Sequence, residues 1–449
     1  MAAKNTPLLI HNGTLITLGE KNRIISDGAV LIRDGIIEAL GKSAAVKKKA
    51  RGAQRINARG KLIMPGYINA HMHFYSTFAR GLTPKQPAAQ HFVEILEKLW
   101  FPLDKQLNEE DIYYSALVPL IGAIRTGTTT LIDHHESQGV QHGVLDILEQ
   151  ALRKAGIRGC LSLGASDRYK HGPEGVEENV RFIERIQKKI QRGDDLVTGM
   201  MGLHALFTVN QPTLEMTCKW ARELGVGVHV HVAEGKADEL ANRKKYSKTV
   251  VQRLNDAGGL GPQSLAIHCI HINRTEMNLL AKTDTCAVHN PQSNMNNAVG
   301  VAPIPEMLEK GILVGLGTDG MTPAMTEGVR VANILHKLNK KDPRVFFMES
   351  CQLLLENNAR IAARLFPRPT GVLRKGACGD VIVVNYDPPT PLNINTFLGH
   401  FLFGITEAPV DTTVVRGRVL MQDGQIKTLN EKKINETSRK LAARFWKRF

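Results

Sequence analysis

The chain has 449 residues, 43% of them hydrophobic and 22% charged, which are ordinary proportions for a folded soluble protein. Its 58 basic against 43 acidic side chains give a formal charge of +15, but the basic residues fall in short runs such as Lys47-Lys48-Lys49 and Arg243-Lys244-Lys245. Attraction of anions to a solvated surface is therefore expected, and a nucleic-acid partner is not. No apolar run nears the roughly 18 residues that cross a bilayer, so no membrane partner is expected either.

Residues 8–62 read as all β. Leu8-Leu9-Ile10, Thr14-Leu15-Ile16, Ala29-Val30-Leu31-Ile32 and Ile36-Ile37 are short runs rich in β-branched residues, with the hairpin signals Asn12-Gly13 and Asp34-Gly35 between them. The same texture returns in Asp380-Val381-Ile382-Val383-Val384 and in Thr412-Thr413-Val414-Val415, closed by Asp423-Gly424. Segments 1–63 and 371–430 are expected to form one small discontinuous β-sandwich domain.

Between residues 64 and 370, short apolar strands alternate with helical stretches, the pattern of parallel βα units. Strands are expected at 64–71, 128–134, 158–165, 198–205, 226–233, 264–270, 285–291 and 313–320. Residues 174–191 put Val176, Val180, Ile183, Ile186 and Ile190 on one helical stripe, and a helix over 109–125 follows the N-cap Asn108. Eight such units predict a TIM-type (β/α)8 barrel. The stretch 74–108 is expected to wall or cover its pocket, with Phe74, Tyr75, Arg80 and Trp100 able to touch a flat substrate. Residues 431–449 read as a basic amphipathic helix that docks on the protein or lies at a subunit interface. No leader pattern opens the chain, and the six cysteines are scattered with no Cys-x-x-Cys pair. A cytoplasmic protein with reduced, buried thiols is the expectation.

In barrels of this kind the chemistry sits at the carboxyl ends of the strands. His71 and His73, His134 and His135, His204, His231 and Glu234, His268, His289 and Asn290, and Asp319 all fall there, a coincidence that core packing would not produce. Side chains two apart on a strand share a face, so His71 and His73 can converge on one metal ion. By the same rule His229 faces inward, but deeper, as a supporting or core histidine.

The phrases Pro65-Gly66-Tyr67-Ile68-Asn69-Ala70-His71-Met72-His73, His231-Val232-Ala233-Glu234, Ala266-Ile267-His268-Cys269, His289-Asn290-Pro291-Gln292-Ser293-Asn294-Met295 and Leu316-Gly317-Thr318-Asp319-Gly320 occur in that order. Together the sequence resembles the amidohydrolase superfamily, in its aminohydrolase and chlorohydrolase (ATZ/TRZ-like) branch. It is most similar there to SsnA-type aminohydrolases. The resemblance implies one divalent metal per chain, Zn2+ before Fe2+, held by His71, His73, His231 and Asp319. A single ion is implied because His204 stands where two-metal members carry a carboxylated lysine. Glu234 is implied as the proton shuttle, with His268 orienting or polarising at the reacting centre and Asp319 helping to take the proton of a metal-activated hydroxide. His134, His135, His204, Trp100, Asn290 and Asn294 are candidates for substrate contact. The implied reaction removes an exocyclic amine from a purine-like heterocycle as ammonia. The alternatives are hydrolysis of a cyclic amide or a halotriazine, and, outside enzymes, a barrel kept as a non-catalytic scaffold. A homodimer or higher homo-oligomer is expected.

Overall fold

The structure is a computed structural model in which residues 6–83 and 85–449 are described. A nine-stranded sheet gathers both ends of the chain. Its path runs through Gln425–Ile426, Arg418–Gln422, Val410–Val415, Val381–Val384, Leu62–Pro65, Leu8–Ile16, Ile24–Arg33 and Ile36–Lys42, with Gln54–Asn57 also paired to Leu8–Ile16. The joint is antiparallel, Val381 to Val384 lying against Pro65 to Leu62. The strand expected from residue 64 therefore begins at Tyr67, because Met64 and Pro65 are committed to this sheet.

Asp34-Gly35 makes the expected hairpin, both residues at positive φ (51° and 80°). Asn12-Gly13 does not. Leu8–Ile16 is one continuous strand in which Asn12 (φ 60°) and Gly13 form a bulge, and its two halves pair with Gln54–Asn57 and with Leu62 and Ile63. A Cβ at Gly13 would lie 2.6 Å from Lys61 O, so a glycine is needed where the two partner strands change over.

The central strands are parallel. Tyr67–Met72, Thr128–His135, Arg158–Leu163 and Val197–Gly199 form one sheet, and Met201–Ala205, Val228–Val232, Leu265–His268, Cys286–His289 and Val314–Leu316 form another. The expected strand at 198–205 is thus interrupted at Met200, its first part bonding back to Arg158–Leu163 and its second forward to Val228–Val232. Isolated parallel bridges join the two sheets at both edges, Ala165 with Leu203 and Met72 with Asp319. Backbone bonds from Thr318 N to His71 O (2.9 Å) and from His73 N to Asp319 O (3.2 Å) reinforce the second seam. Ile68, Ala70, Ile132, Cys160, Leu265, Ile267, Cys286 and Val288 from these strands pack in one buried cluster with Ala359, Ile361 and Ala362 of helix Asn358–Leu365.

Helix Glu109–Thr126 starts at Asn108 with a full capping box against Asp111 and ends at Gly127 in the left-handed conformation. Helix Gly172–Gln191 buries Val176, Phe182, Ile183 and Ile186. The C-terminal helix Glu431–Arg448 docks back on the protein: Phe445 and Leu441 are buried, Trp446 Nε1 donates to Phe78 O (2.8 Å), and Arg448 pairs with Asp111. All six cysteines are free and buried. Among the described residues no helix is long and apolar enough to cross a membrane.

One buried ion pair ties the two sheet systems together. Arg158, at the start of a central strand, places Nε 2.8 Å from Asp380 Oδ2, and Asp380 also accepts from Arg416 N (2.9 Å) and Thr370 Oγ1 (3.1 Å). Arg158→Met would leave that carboxylate buried without its cation. The expected loss is about 3–5 kcal/mol of unfolding free energy, read as a lower urea midpoint with an unchanged denaturant slope; an unchanged midpoint would contradict the assignment.

Candidate active site

The ends of the central strands converge on one buried cluster. His71 and His73 leave the end of Tyr67–Met72, His231 stands near the end of Val228–Val232, His268 ends Leu265–His268, and Asp319 follows Val314–Leu316. His73 Nε2 lies 3.3 Å from His231 Nε2 and 3.1 Å from Asp319 Oδ1. His71 Nε2 has no hydrogen-bond partner, although it is fully buried.

Outer contacts fix each ring. His73 Nδ1 donates to His134 O, His231 Nδ1 to His204 O (2.6 Å), and His71 Nδ1 pairs with His229 Nε2 (2.9 Å), whose own Nδ1 reaches Ser162 Oγ (3.2 Å). With their Nδ1 atoms occupied in this way, the three Nε2 lone pairs of His71, His73 and His231 face the same space. Burial holds His71 and His231 well below the usual imidazole range, as neutral donors. For His73 burial pulls the same way, but the hydrogen bond and charge of Asp319 outweigh it and raise the group. Burial opposes ionisation of Asp319, yet His73 and His268, with the Ser293 hydroxyl, hold that carboxyl far below the ordinary carboxylate range. Ser293 Oγ donates to its Oδ2 (2.5 Å) and Gly320 N to its Oδ1 (2.7 Å).

These donors fit a divalent cation. Ligands about 2.0–2.1 Å from a tetrahedral ion stand about 3.3 Å apart, which matches the 3.3 and 3.1 Å separations here. His73 Nε2 and His231 Nε2 face each other across a gap, with the Asp319 carboxylate beside them and the orphaned His71 Nε2 nearby, an arrangement that a shared cation would satisfy. Overlapping triads, His71 with His73 and Asp319 and His71 with His231 and His268, are each close enough to share an ion.

Above the cluster lies a pocket. His73, His231, Glu234 and Asp319 form its floor; Phe92, Val93, Leu96, Trp100, Phe101, Phe207 and Met321 give it apolar walls. Glu234 Oε2 sits 3.5 Å from His268 Nε2, and Asn297 Nδ2 donates to Glu234 Oε1 (3.4 Å). Burial, then the charge of Asp319, raises the Glu234 carboxyl well above its usual range. His268 Nδ1 donates to Asn294 Oδ1 (2.8 Å), which aims Nε2 at the gap between Glu234 and Asp319. Three residues here adopt left-handed backbone without being glycine: Ala233 (φ 47°), His268 (φ 70°) and Asp319 (φ 56°).

Of the residues expected to contact substrate, Trp100 and His204 line the pocket. His134, His135, Asn290 and Asn294 do not; they are buried behind it. Phe74 belongs to the core and Arg80 is exposed, whereas Tyr75 does line the pocket. Asn290 packs beside Gly317 and His71, and Asn294 acts through His268. Ser293, Asn297, Asp104 and Asp238, which the sequence reading left out, are at the pocket. Helical spacing is the signal for the first two: in the short helix Pro291–Asn296 and its cap, Ser293 and Asn297 share one face and Asn290 and Asn294 another.

The profile of the amidohydrolase family matches residues 62–420, and the chain belongs to that family. It is a hydrolase acting on carbon–nitrogen bonds. It is 30% identical over 441 residues to a 5-methylthioadenosine/S-adenosylhomocysteine deaminase of Pelotomaculum thermopropionicum, covering 97% of this chain and 98% of the relative. A 5'-deoxyadenosine deaminase of Methanosarcina mazei is 32% identical over 441 residues, with 97% of each chain covered. Among solved structures, a zinc-bound adenosine deaminase from Xanthomonas campestris aligns with a TM-score of 0.83 at 20% identity, over 98% of each chain. A triazine hydrolase from Arthobacter aurescens aligns with a TM-score of 0.83 at 20% identity, over 98% of this chain and 100% of its own. At that identity these two structures speak to the fold.

Replacing Asn294 by Leu would strand the buried Nδ1–H of His268. The expected outcome is a loss of about 1–3 kcal/mol in thermal unfolding, with a changed tautomer population of His268 in nitrogen-15 spectra. An unchanged His268 signal would show that another group orients the ring.

Proposed function

We propose that this chain is a single-zinc aminohydrolase that removes an exocyclic amino group from a purine-like ring and releases ammonia. The observation that carries the reading is the gap bounded by His73 Nε2, His231 Nε2 and Asp319 Oδ1, with the orphaned His71 Nε2 beside it. His71, His73, His231 and Asp319 would hold the ion, and zinc is favoured because a set of neutral imidazoles with one carboxylate suits it, Fe2+ being the alternative. The zinc-bound deaminase that shares the fold supports the same choice. When bound, such an ion lowers the pKa of a water from 15.7 towards about 7.

The remaining steps belong to the protein. Glu234 accepts one proton of the attacking water and passes it to a ring nitrogen, and the second proton of that water, removed with the help of Asp319, goes to the leaving amine, which departs as ammonia. Its burial suits that exchange, since a carboxyl whose pKa is raised takes up a proton more readily than an exposed one. His268, its tautomer set by Asn294, orients the attacking oxygen, and Asp319 takes part in removing its proton. Trp100, Phe101 and Phe207 give apolar surface on which a flat ring can stack. The names of the two full-length relatives, both deaminases of modified adenosines, favour a purine over a triazine or a cyclic amide.

The same reading extends to architecture. We infer that the parallel strands close into one (β/α)8 barrel over about residues 64–370, supported by the bridges at both seams. The ends of the chain would fold over as a small sandwich at 1–63 and 371–430, supported by an apolar cluster that joins Ile10, Ile37 and Ile56 to Val383 and Val414. Exposed Ile334, Leu338, Met348 and Phe403, on neighbouring helices, support a homodimer, and six free thiols support a cytoplasmic location.

Protein prepared with zinc should contain about one ion per chain and release ammonia from an aminopurine. His231→Ala should lose both the ion and the activity. Two ions per chain would contradict the single-site reading, and chloride release without ammonia would move the enzyme to dehalogenation. Glu234→Gln should keep the ion while turnover falls roughly 100- to 10,000-fold; loss of the ion in that variant would place Glu234 among the ligands.

A further inference from the structure

The pocket above the donor cluster is closed too tightly for a purine-like substrate to enter. Its cavity is about 80 Å³, against the roughly 300–1,000 Å³ of ordinary small-molecule sites. Some wall must therefore move, and most of the lining is pinned. Arg253 donates to Leu206 O and Val209 O (both 2.8 Å), and Asp238 accepts from Phe207 N (3.0 Å), which fixes the Phe207 wall. Met321 N donates to Thr318 O (3.1 Å). Helix Phe101–Gln106 is held by Gln138 N donating to Asp104 O (2.9 Å) and by Arg168 Nη2 donating to Asp104 Oδ2 (2.8 Å).

The wall formed by Phe92, Val93, Leu96 and Trp100 is built differently. Among the described residues, no side-chain hydrogen bond or ion pair ties 86–100 to any other part of the protein. Lys98 Nζ donates to Glu94 Oε2 (2.9 Å) and Pro87 O (3.3 Å), and Glu94 accepts from Gln90 N (2.8 Å), all within the segment. Its contacts with the pocket are apolar and non-directional, Trp100 standing edge-on to Tyr75 (centroids 5.9 Å) and Phe92 against Gly235.

The sequence supplies both a hinge and a seat for this wall. Pro102 has no N–H, and its ring excludes the carbonyl of Lys98. Leu96–Trp100 is accordingly wound wide, with Phe101 N donating to Leu96 O five residues back. That turn separates the anchored helix Phe101–Gln106 from the unanchored turn Phe92–Ile95. At the far end, Gly235 has φ −110°, which any residue adopts, so its missing side chain is a matter of space. A Cβ there would lie 2.8 Å from Phe92 Cδ1. Phe92 thus rests on the backbone directly after Glu234.

We propose that Phe92–Trp100 is a lid that swings on the wide turn before Pro102 and latches by seating Phe92 on Gly235, opening to admit the substrate and closing over it. The proposal rests on this pocket being the substrate site of the proposed deaminase and adds how that site is entered.

The test is hydrogen–deuterium exchange of the zinc-loaded full chain, alone and with purine riboside, beside ammonia release from adenosine. In the free protein the amides of residues 95–100, although bonded within the helix, should exchange at least about 100-fold faster than those of Phe207 and Ala233, because a unit with few outside bonds opens locally. Purine riboside should slow exchange at 95–100 at least about tenfold. Gly235→Ala, which unseats Phe92, should speed it; Pro102→Ala, which returns an N–H to Lys98 O, should slow it and carries the test alone if Gly235→Ala does not fold. Exchange at 95–100 as slow as at Phe207 and Ala233, or a rate that neither variant alters, would overturn the lid. If the free segment opens and the variants shift it, while no ammonia appears and purine riboside protects nothing, the lid stands and the deaminase reading falls. If ammonia is released while 95–100 stays protected in the free protein, the deaminase reading stands and the lid falls.

Discussion

Three lone-pair donors and a carboxylate crowded into a buried space define this molecule. His71, His73 and His231 point their Nε2 atoms inward because each Nδ1 is engaged elsewhere, and Asp319 stays ionised against burial because His73 and His268 face it. Such a set is unfavourable without a shared cation. The arrangement persists only if the strand ends cannot spread, and much of the surrounding structure serves that end.

The first and last central strands carry His71, His73 and Asp319, and several polar side chains pin them together. Asn358 accepts from Leu316 N (2.8 Å) and donates to Ile68 O (2.7 Å) and Leu316 O (2.8 Å), while Asn69 Nδ2 donates to Thr318 Oγ1 (2.6 Å). On the opposite side Asp238 accepts from Ala233 N (3.0 Å) and Phe207 N (3.0 Å). That bond holds the left-handed turn that presents Glu234 and fixes one aromatic wall of the pocket. Backbone in sparsely populated φ at Ala233, His268 and Asp319 is the local expense of bringing these groups together.

The strands and their terminal histidines were legible because period-2 patterning and parallel βα alternation are local signals. Glu234 and Asp319 stood out for the same reason, as polar residues at strand ends, whereas the roles of His71, His73, His231 and Asp319 as ligands rested on the family resemblance. What depended on a partner distant in sequence was not legible. Asn12-Gly13 carries the residues of a hairpin turn, but Leu8–Ile16 changes partner strands there, and a bulge results. The strand around Met200 breaks because its two halves hydrogen-bond to different neighbours. Asn290 and Asn294 belong to a motif that reaches the pocket, yet their helical face turns away from it. The Asp104, Glu136 and Arg168 cluster unites three segments whose charges have no periodic pattern, so only the folded chain reveals it.

The central claim is that the inward-facing donors of His71, His73, His231 and Asp319 form one cation site at the floor of the pocket. Anomalous diffraction at the zinc edge, from crystals of the zinc-loaded protein, tests it most directly. The account predicts a single strong peak about 2.0–2.2 Å from the three Nε2 atoms and an Asp319 oxygen. A peak held instead by His134 and Glu136, or no peak between these four side chains, would contradict it.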